Sequence, residues 1–309
     1  EAWSTANRRK VEEWFVSTAY KRLHPGGTIV VLHHRFHPRD LSGYLLEHHD
    51  DKWEHIRLPK IAEADDPIGR APGEALWPEM WSQEHVEHER RITPAHTWAA
   101  MDQQDPRTGG SGLAYAGFGQ GNVDPGAALV DGLPLCVSFD FNRNPGMYCL
   151  VGQYDPKQDR FTVVHELHGA RWTVHEILKE LVKLVRSLGR FRWPGIHVFG
   201  DATGGGVSMD DGLNSYVTIR QTIERDLTRQ VRVRVPAGNP GHVDSLLTIN
   251  DAFCDACSER HVKIHPRCEI LLHDLRSVPL DADGGIEKTD DTLTHSSDTL
   301  RYWVHYVRP

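Results

Sequence analysis

The alternation of apolar and polar residues divides this chain into two parts of different character. Over residues 9–22, Val11, Trp14, Phe15 and Thr18 recur at helical spacing. Pro25-Gly26-Gly27 then turns the chain into Thr28-Ile29-Val30-Val31-Leu32, an unbroken apolar run of the kind found in buried parallel strands. A polar loop over 33–40 leads to a helical pattern at 41–48, and 53–58 reads as a second strand. This start has the pattern of the end of an α/β domain. Residues 62–73 are acidic and rich in Pro and Gly, which marks a loop. The stretch 79–103 is helical in spacing but polar, with Trp81, Val86, Ile92, Trp98 and Met101 as its apolar minority. Glycines crowd 106–131 without periodicity, so that stretch is the expected linker between a first part, 1–105, and a second, 132–309.

The second part is ordered differently. Three strands are expected at 133–141, 147–153 and 161–167, separated by the turn-forming runs Asn142-Arg143-Asn144-Pro145-Gly146 and Asp155-Pro156-Lys157-Gln158-Asp159. A strong helix follows over 174–188, with Ile177, Leu178, Leu181, Val182 and Val185 on one face, and then a buried strand over 195–200. Further alternation predicts a helix near 215–228, a strand at 231–235, a helix at 243–258, a strand at 262–264 and a last helix from about Ser296. A meander of three antiparallel strands, a crossover helix and then a parallel strand is the opening order of a ribonuclease H-like fold. A right-handed crossover sets strand 195–200 beside strand 133–141. Their carboxyl ends would then be neighbours, where open sheets place their sites.

Composition narrows the class without naming it. The 309 residues are 39% hydrophobic and 25% charged, and no apolar run approaches the ~20 residues that span a bilayer. No membrane partner is therefore expected. Five cysteines, an odd number, point to a reducing compartment and not to a disulfide framework. The chain opens on Glu1 within a helical pattern, which is the expectation for a fragment of a longer protein. The formal charge of −8 argues weakly against a chain that coats nucleic acid, but it allows an enzyme that grips a duplex locally. Basic residues do gather in two places: Lys179, Lys183, Arg186, Arg190 and Arg192, and Arg220, Arg225, Arg229, Arg232 and Arg234. Solvated helix faces account for each group equally well.

Three carboxylates carry the candidate chemistry. Asp140 ends Leu135-Cys136-Val137-Ser138-Phe139-Asp140, Asp201 ends Ile196-His197-Val198-Phe199-Gly200-Asp201, and Asp298 lies in the first turn of the last helix, His295-Ser296-Ser297-Asp298-Thr299-Leu300. A carboxylate where alternation predicts burial is costly unless it is paired or binds a metal. Hard oxygen ligands converging on one point suit Mg²⁺ or Mn²⁺ and phosphate chemistry. Each aspartate also has a plainer reading, as a strand-end cap, a turn residue or a first-turn charge complementing the helix dipole. Gly204-Gly205-Gly206 offers close backbone approach to a ligand. His295, three residues before Asp298, shares its helical face and is a possible auxiliary group for a water or phosphate. Cys254, Cys257, His261, His265 and Cys268 raise a zinc site, although core cysteines on a helix beside a surface strand explain them as well. No G-x-x-x-x-G-K-[ST] occurs, so no ATP-binding residues are assigned.

Further segments add a family likeness: Arg35-Phe36-His37-Pro38-Arg39-Asp40-Leu41-Ser42-Gly43, then Asp66-Pro67-Ile68-Gly69-Arg70-Ala71-Pro72-Gly73-Glu74-Ala75-Leu76-Trp77-Pro78, then Trp98 through Gln103-Gln104-Asp105-Pro106. With the three aspartate segments, in this order, the chain resembles the large terminase subunit of tailed bacteriophages. The likeness runs from near the end of the ATPase domain to the C-terminus. The resemblance implies a ribonuclease H-like (integrase/resolvase-type) nuclease domain preceded by a partial P-loop ATPase-type α/β segment. It implies a double-stranded DNA endonuclease that cuts concatemeric genome DNA with two Mg²⁺ or Mn²⁺ ions. Asp140 would bridge both ions, Asp201 and Asp298 would each complete one, one ion would help generate the attacking hydroxide, and the other would stabilise the leaving 3′ oxygen. Its implied partners are DNA, the portal protein and the small terminase subunit, in the host cytoplasm and transiently at the procapsid portal vertex. Where the family usually has Thr-Arg-Trp-His, this chain has His34-Arg35-Phe36-His37, and the P-loop and Walker B aspartates would lie upstream of Glu1. ATP hydrolysis is therefore not expected of it. Another ribonuclease H-like nuclease of resolvase or transposase type, or a catalytically silent portal-docking module, are the alternatives.

Overall fold

The computed structural model describes residues 4–49, 53–106, 113–141, 146–189, 192–202, 214–281, 285–287 and 293–308. They divide into two compact units. Residues 1–112, 255–259 and 281–284 belong to the first, and the rest to the second.

In the first unit, α1 (Thr5–Trp14) passes into a π-helical turn over Phe15–Ala19, and α2 spans Leu41–His49. α3 (Gln83–Ile92) starts at Ser82, whose side chain accepts from the His85 amide, and α4 (Ala95–Thr97) continues into a second π-helical turn, Trp98–Asp102. Ile61, Ala75, Val86 and Trp98 form a small core. The strand expected at 28–32 does not form: Val30 is 85% exposed and Leu32 94%. A buried parallel strand needs a neighbour on its edges and cover on its faces, and no strand among the described residues of this unit supplies either. The segment 53–58 is not a strand either. Leu58 instead exchanges its backbone groups with the Gln104 side chain, a local substitute for a ladder.

The second unit is a six-stranded mixed sheet ordered β5-β4-β1-β2-β3-β6. Its strands are β1 (Leu135–Asp140), β2 (Gly146–Asp155), β3 (Arg160–Ala170), β4 (Ile196–Gly200), β5 (Val231–Val233) and β6 (Val262–Ile264). β1, β2 and β3 form the expected antiparallel meander. The crossover helix α5 (Val174–Ser187) opens with a capping box between Thr173 and Glu176 and returns the chain to β4, parallel to β1, with Phe139 opposite Gly200. α5 and α6 (Ser215–Leu227) cover one face, where Leu135, Val137, Phe139, Ile196 and Val198 meet Ile177, Leu181 and Ile219. α7 (His242–Phe253), α8 (Glu269–Ser277) and α9 (His295–Val307) cover the other, around Phe161, Phe199 and Trp303.

Two expectations are adjusted here. Of the stretch read as a linker, residues from Leu113 on belong to the second unit. Tyr115 lies in its core, and buried Asn122 donates to the Phe253 and Val262 carbonyls while accepting from Arg260. Composition marks such a stretch as irregular, and irregular backbone can still be buried when side-chain amides satisfy it. The helix expected over 243–258 stops at Phe253, so Cys254 and Cys257 do not share a helical face.

Trp303 ties α9 to the sheet. Its ring stacks on Phe199 and meets Phe161 edge-on, and an added Cβ at Gly152, where the β2–β3 register shifts, would press against it. Trp303→Ala should lower the free energy of unfolding by about 3–5 kcal/mol, measured by urea denaturation followed by circular dichroism; an unchanged midpoint contradicts this packing. A second expectation concerns acid. Burial, with Arg234 and Arg232 nearby, lowers the His197 pKa to about 4. The folded protein therefore resists a proton that the unfolded chain accepts, and stability falls as pH drops from 6.5 towards 4. His197→Val should flatten that part of the stability–pH curve, and a curve parallel to wild type would refute the assignment.

Candidate metal centre

Strand pairing brings two of the three aspartates together. Because Phe139 faces Gly200, the next residues, Asp140 and Asp201, leave the sheet side by side, and the Asp201 amide donates to the Phe139 carbonyl at 3.2 Å. Alternation along β1 puts Cys136, Ser138 and Asp140 on the face covered by α9. The Ser138 hydroxyl docks that helix by donating to the Thr299 carbonyl at 2.7 Å. Asp298, in the first turn of α9, is thereby carried to the same end of the sheet. Asp140, Asp201 and Asp298 are 4%, 8% and 3% exposed. All three bear on one group: the buried Tyr302 phenol is pushed up by burial, then by Asp298, with Asp140 and Asp201 adding to it.

Each carboxylate has a polar partner. His295, the first residue of α9, donates from Nδ1 to Asp140 Oδ2 at 2.9 Å, and its ring stacks on Tyr148. Asn239 donates to Asp201 Oδ1 at 2.7 Å and accepts from the Ala202 amide, while the Tyr216 hydroxyl donates to the Asp201 carbonyl. Asp298 pairs with Arg301 at 2.8 Å, and Arg301 also reaches the Ser245 hydroxyl. His295 therefore acts on Asp140, not only beside Asp298 as its spacing implies. Asn239, Tyr216, Arg301 and Tyr148 were not anticipated as site residues. Arg301 alone had a sequence signal, one helical turn after Asp298; the others arrive from elements whose proximity only the fold decides.

The donor set fits hard divalent cations, since three buried carboxylates from three elements with an imidazole beside them supply oxygen-rich coordination. No three of their oxygens close to within 4.8 Å of one another among the described residues. Among the described residues the zinc candidates Cys254, Cys257, His261, His265 and Cys268 form no such set with one another, although His261 groups with Asp255 and Glu259. The His265 ring accepts from the Arg267 backbone and side chain, His261 Nδ1 donates to the Asp159 carbonyl, and Cys268 is buried in the core. The glycines 204–206, the turn residues 142–145 and Arg190 lie outside the described residues. The basic residues of α5 and α6 line the opposite face of the sheet, where Lys183 pairs with Glu180 and Arg225 with Asp226.

Carboxylates at the ends of adjacent parallel strands, with a third on the covering helix of a β5-β4-β1-β2-β3 sheet, define a ribonuclease H-like arrangement. No family model and no curated protein matches the sequence. Solved structures match the fold. A large terminase from a thermophilic bacteriophage aligns with a TM-score of 0.50 and 14% identity, over 96% of this chain and 66% of that one. The same terminase in complex with ADP gives 0.50 at 15% identity, over 95% and 66%. The nuclease domain of the phage P22 large terminase aligns over 63% of this chain and 92% of that domain, at 16% identity and a TM-score of 0.46. The likeness to the thermophilic-phage structures is one of fold: this chain is folded as a phage large terminase is, over about two thirds of that protein's length.

Arg301 is 1% exposed and neutralises a buried carboxylate. Arg301→Leu should destabilise the protein by about 3–5 kcal/mol by leaving Asp298 uncompensated. Arg301→Leu combined with Asp298→Asn should recover much of the loss. Thermal unfolding of wild type and both variants tests this, and an Arg301→Leu protein as stable as wild type would refute the pairing.

Proposed function

We propose that this chain is part of a phage large terminase and that its second unit is a metal-dependent nuclease hydrolysing phosphodiester bonds of double-stranded DNA. The observation carrying the reading is that three buried carboxylates lie at the end of β1, just after its parallel neighbour β4 and in the first turn of α9, whose His295 bonds Asp140. The terminase-like fold supports DNA as the substrate class.

Asp140, Asp201 and Asp298 would hold two divalent ions, Mg²⁺ or Mn²⁺. Such ions, when bound, activate water and neutralise charge developing on the scissile phosphate. The chain's own residues set up that site. His295 fixes the rotamer of Asp140 through its Nδ1–H. Asn239 fixes Asp201 by donating to its Oδ1. Arg301 pairs with Asp298 within the core, its Nε and Nη2 both donating to Asp298 Oδ1 and so holding that carboxylate in one orientation. Burial of the carboxylates excludes bulk water and strengthens their hold on a cation.

By the same reading the chain works with the portal protein and the small terminase subunit during genome packaging in the host cell. It assigns no ATP hydrolysis to these residues. A resolvase-type enzyme would differ in preferring four-way junctions over linear duplex.

The full chain should bind Mn²⁺ by calorimetry and nick or linearise plasmid in Mg²⁺ or Mn²⁺. Asp140→Ala, Asp201→Ala and Asp298→Ala should each cut at background rate while unfolding cooperatively. Cleavage by Asp140→Ala at the wild-type rate would overturn the assignment.

A further inference from the structure

Helices α8 and α9 share a departure from ordinary capping. A helix's first amides normally find an acceptor in the side chain of the residue just before it. Cys268 precedes α8 and Thr294 precedes α9, and neither provides one. Thr294 is held at φ 83°, a left-handed conformation that costs a β-branched residue energy and takes its side chain away from the capping position.

Both helix starts are instead held from outside. On β3, Glu166 accepts from the Ile270 amide at 2.8 Å with one carboxylate oxygen and from the Leu271 amide at 2.9 Å with the other. On α8, Asp274 Oδ2 accepts from the Ser296 and Ser297 amides at 3.0 and 3.1 Å. The first turn of α9, thus clamped, carries His295 onto Asp140 and presents Asp298.

Asp274 is 1% exposed, and among the described residues its Oδ1 has no hydrogen-bond partner. Burial pushes its carboxyl up to about 6, against the pull of the two serine amides. An apolar side chain there would escape that cost but strand the buried Ser296 and Ser297 amides. The carboxylate is therefore held there by the two amides it bonds. What it contributes is the position of one helical turn.

We propose that Glu166 and Asp274 are positioning residues for the metal centre: Glu166 fixes the first turn of α8, and Asp274, on α8, fixes the first turn of α9, so that His295 and Asp298 meet Asp140 and Asp201. This rests on the nuclease reading for its purpose, though the two clamps themselves are independent of it. Neither residue touches substrate. Their action passes through backbone amides, so what matters at position 274 is an acceptor oxygen and not its charge.

That distinction sets the test on the full-length chain. Asp274→Leu keeps the packing and removes the acceptor, whereas Asp274→Asn keeps an acceptor oxygen and removes the charge. Asp274→Leu should weaken Mn²⁺ binding and lower kcat by about 10–100-fold with the KM for DNA little changed. In metal-free protein it should also abolish hydrogen-exchange protection of the Ser296 and Ser297 amides. Asp274→Asn should restore most of all three. If Asp274→Leu does not fold, Glu166→Gln, which leaves one of the two α8 amides unbonded, should show the same pattern more weakly. A lowered Tm in Asp274→Leu with unchanged amide protection, Mn²⁺ affinity and kcat would reduce the residue to a structural role and overturn the proposal. If the wild-type chain neither binds Mn²⁺ nor cuts DNA, the nuclease reading fails. The clamp is then judged on amide protection alone: its loss in Asp274→Leu and return in Asp274→Asn uphold it, and unchanged protection refutes it.

Discussion

Everything at the carboxyl end of the sheet answers to one constraint: negative charge is buried there, and isolated carboxylates do not survive burial at neutral pH. The fold meets it residue by residue, with an imidazole on Asp140, an amide on Asp201 and a guanidinium on Asp298. Those partners come from α9 and from the segment leading into α7, so the helical layer compensates charge as well as burying the sheet's apolar face.

The same logic extends to backbone. Two helix starts without local caps are capped by carboxylates from the preceding elements, so β3, α8 and α9 form a chain in which each element orients the next. Tyr148 marks where that chain closes. Its ring lies against His295, and its phenol is pushed up to about 12 by burial and then by Asp274, Asp140 and Glu166. Orientation therefore reaches the three aspartates through rigid elements, which hold a first turn more accurately than a loop does.

Much of the second unit was legible in the residues. The meander, the crossover helix and β4 follow from period-two and helical spacing with turn residues between them, and right-handed crossover then decides which strands are neighbours. Asp140, Asp201 and Asp298 stood out because each ends or opens an apolar run. The first unit was less legible, for a physical reason. An apolar run such as 28–32 has strand propensity, but a strand exists only when neighbours take its hydrogen bonds, and Val30 and Leu32 remain exposed. Glycine-rich residues from Leu113 on looked like a linker because composition reports irregularity and not burial. Asn122, satisfied by Phe253 and Val262 far along the chain, has no local signature.

The sequence by itself determined which segments become strands and helices of the second unit and where the acidic residues fall on them, since those properties depend on near neighbours along the chain. Only the tertiary structure decided which groups compensate each acid. Asn239, Glu166 and Asp274 act across long separations, and Arg301 from the next helical turn, through hydrogen bonds whose geometry depends on how helices seat on the sheet. α8 shows the division most plainly. Its residues did not stand out in the sequence, yet a single carboxylate on it holds the turn that carries Asp298, because a buried amide must bond to whatever acceptor the packing brings within reach.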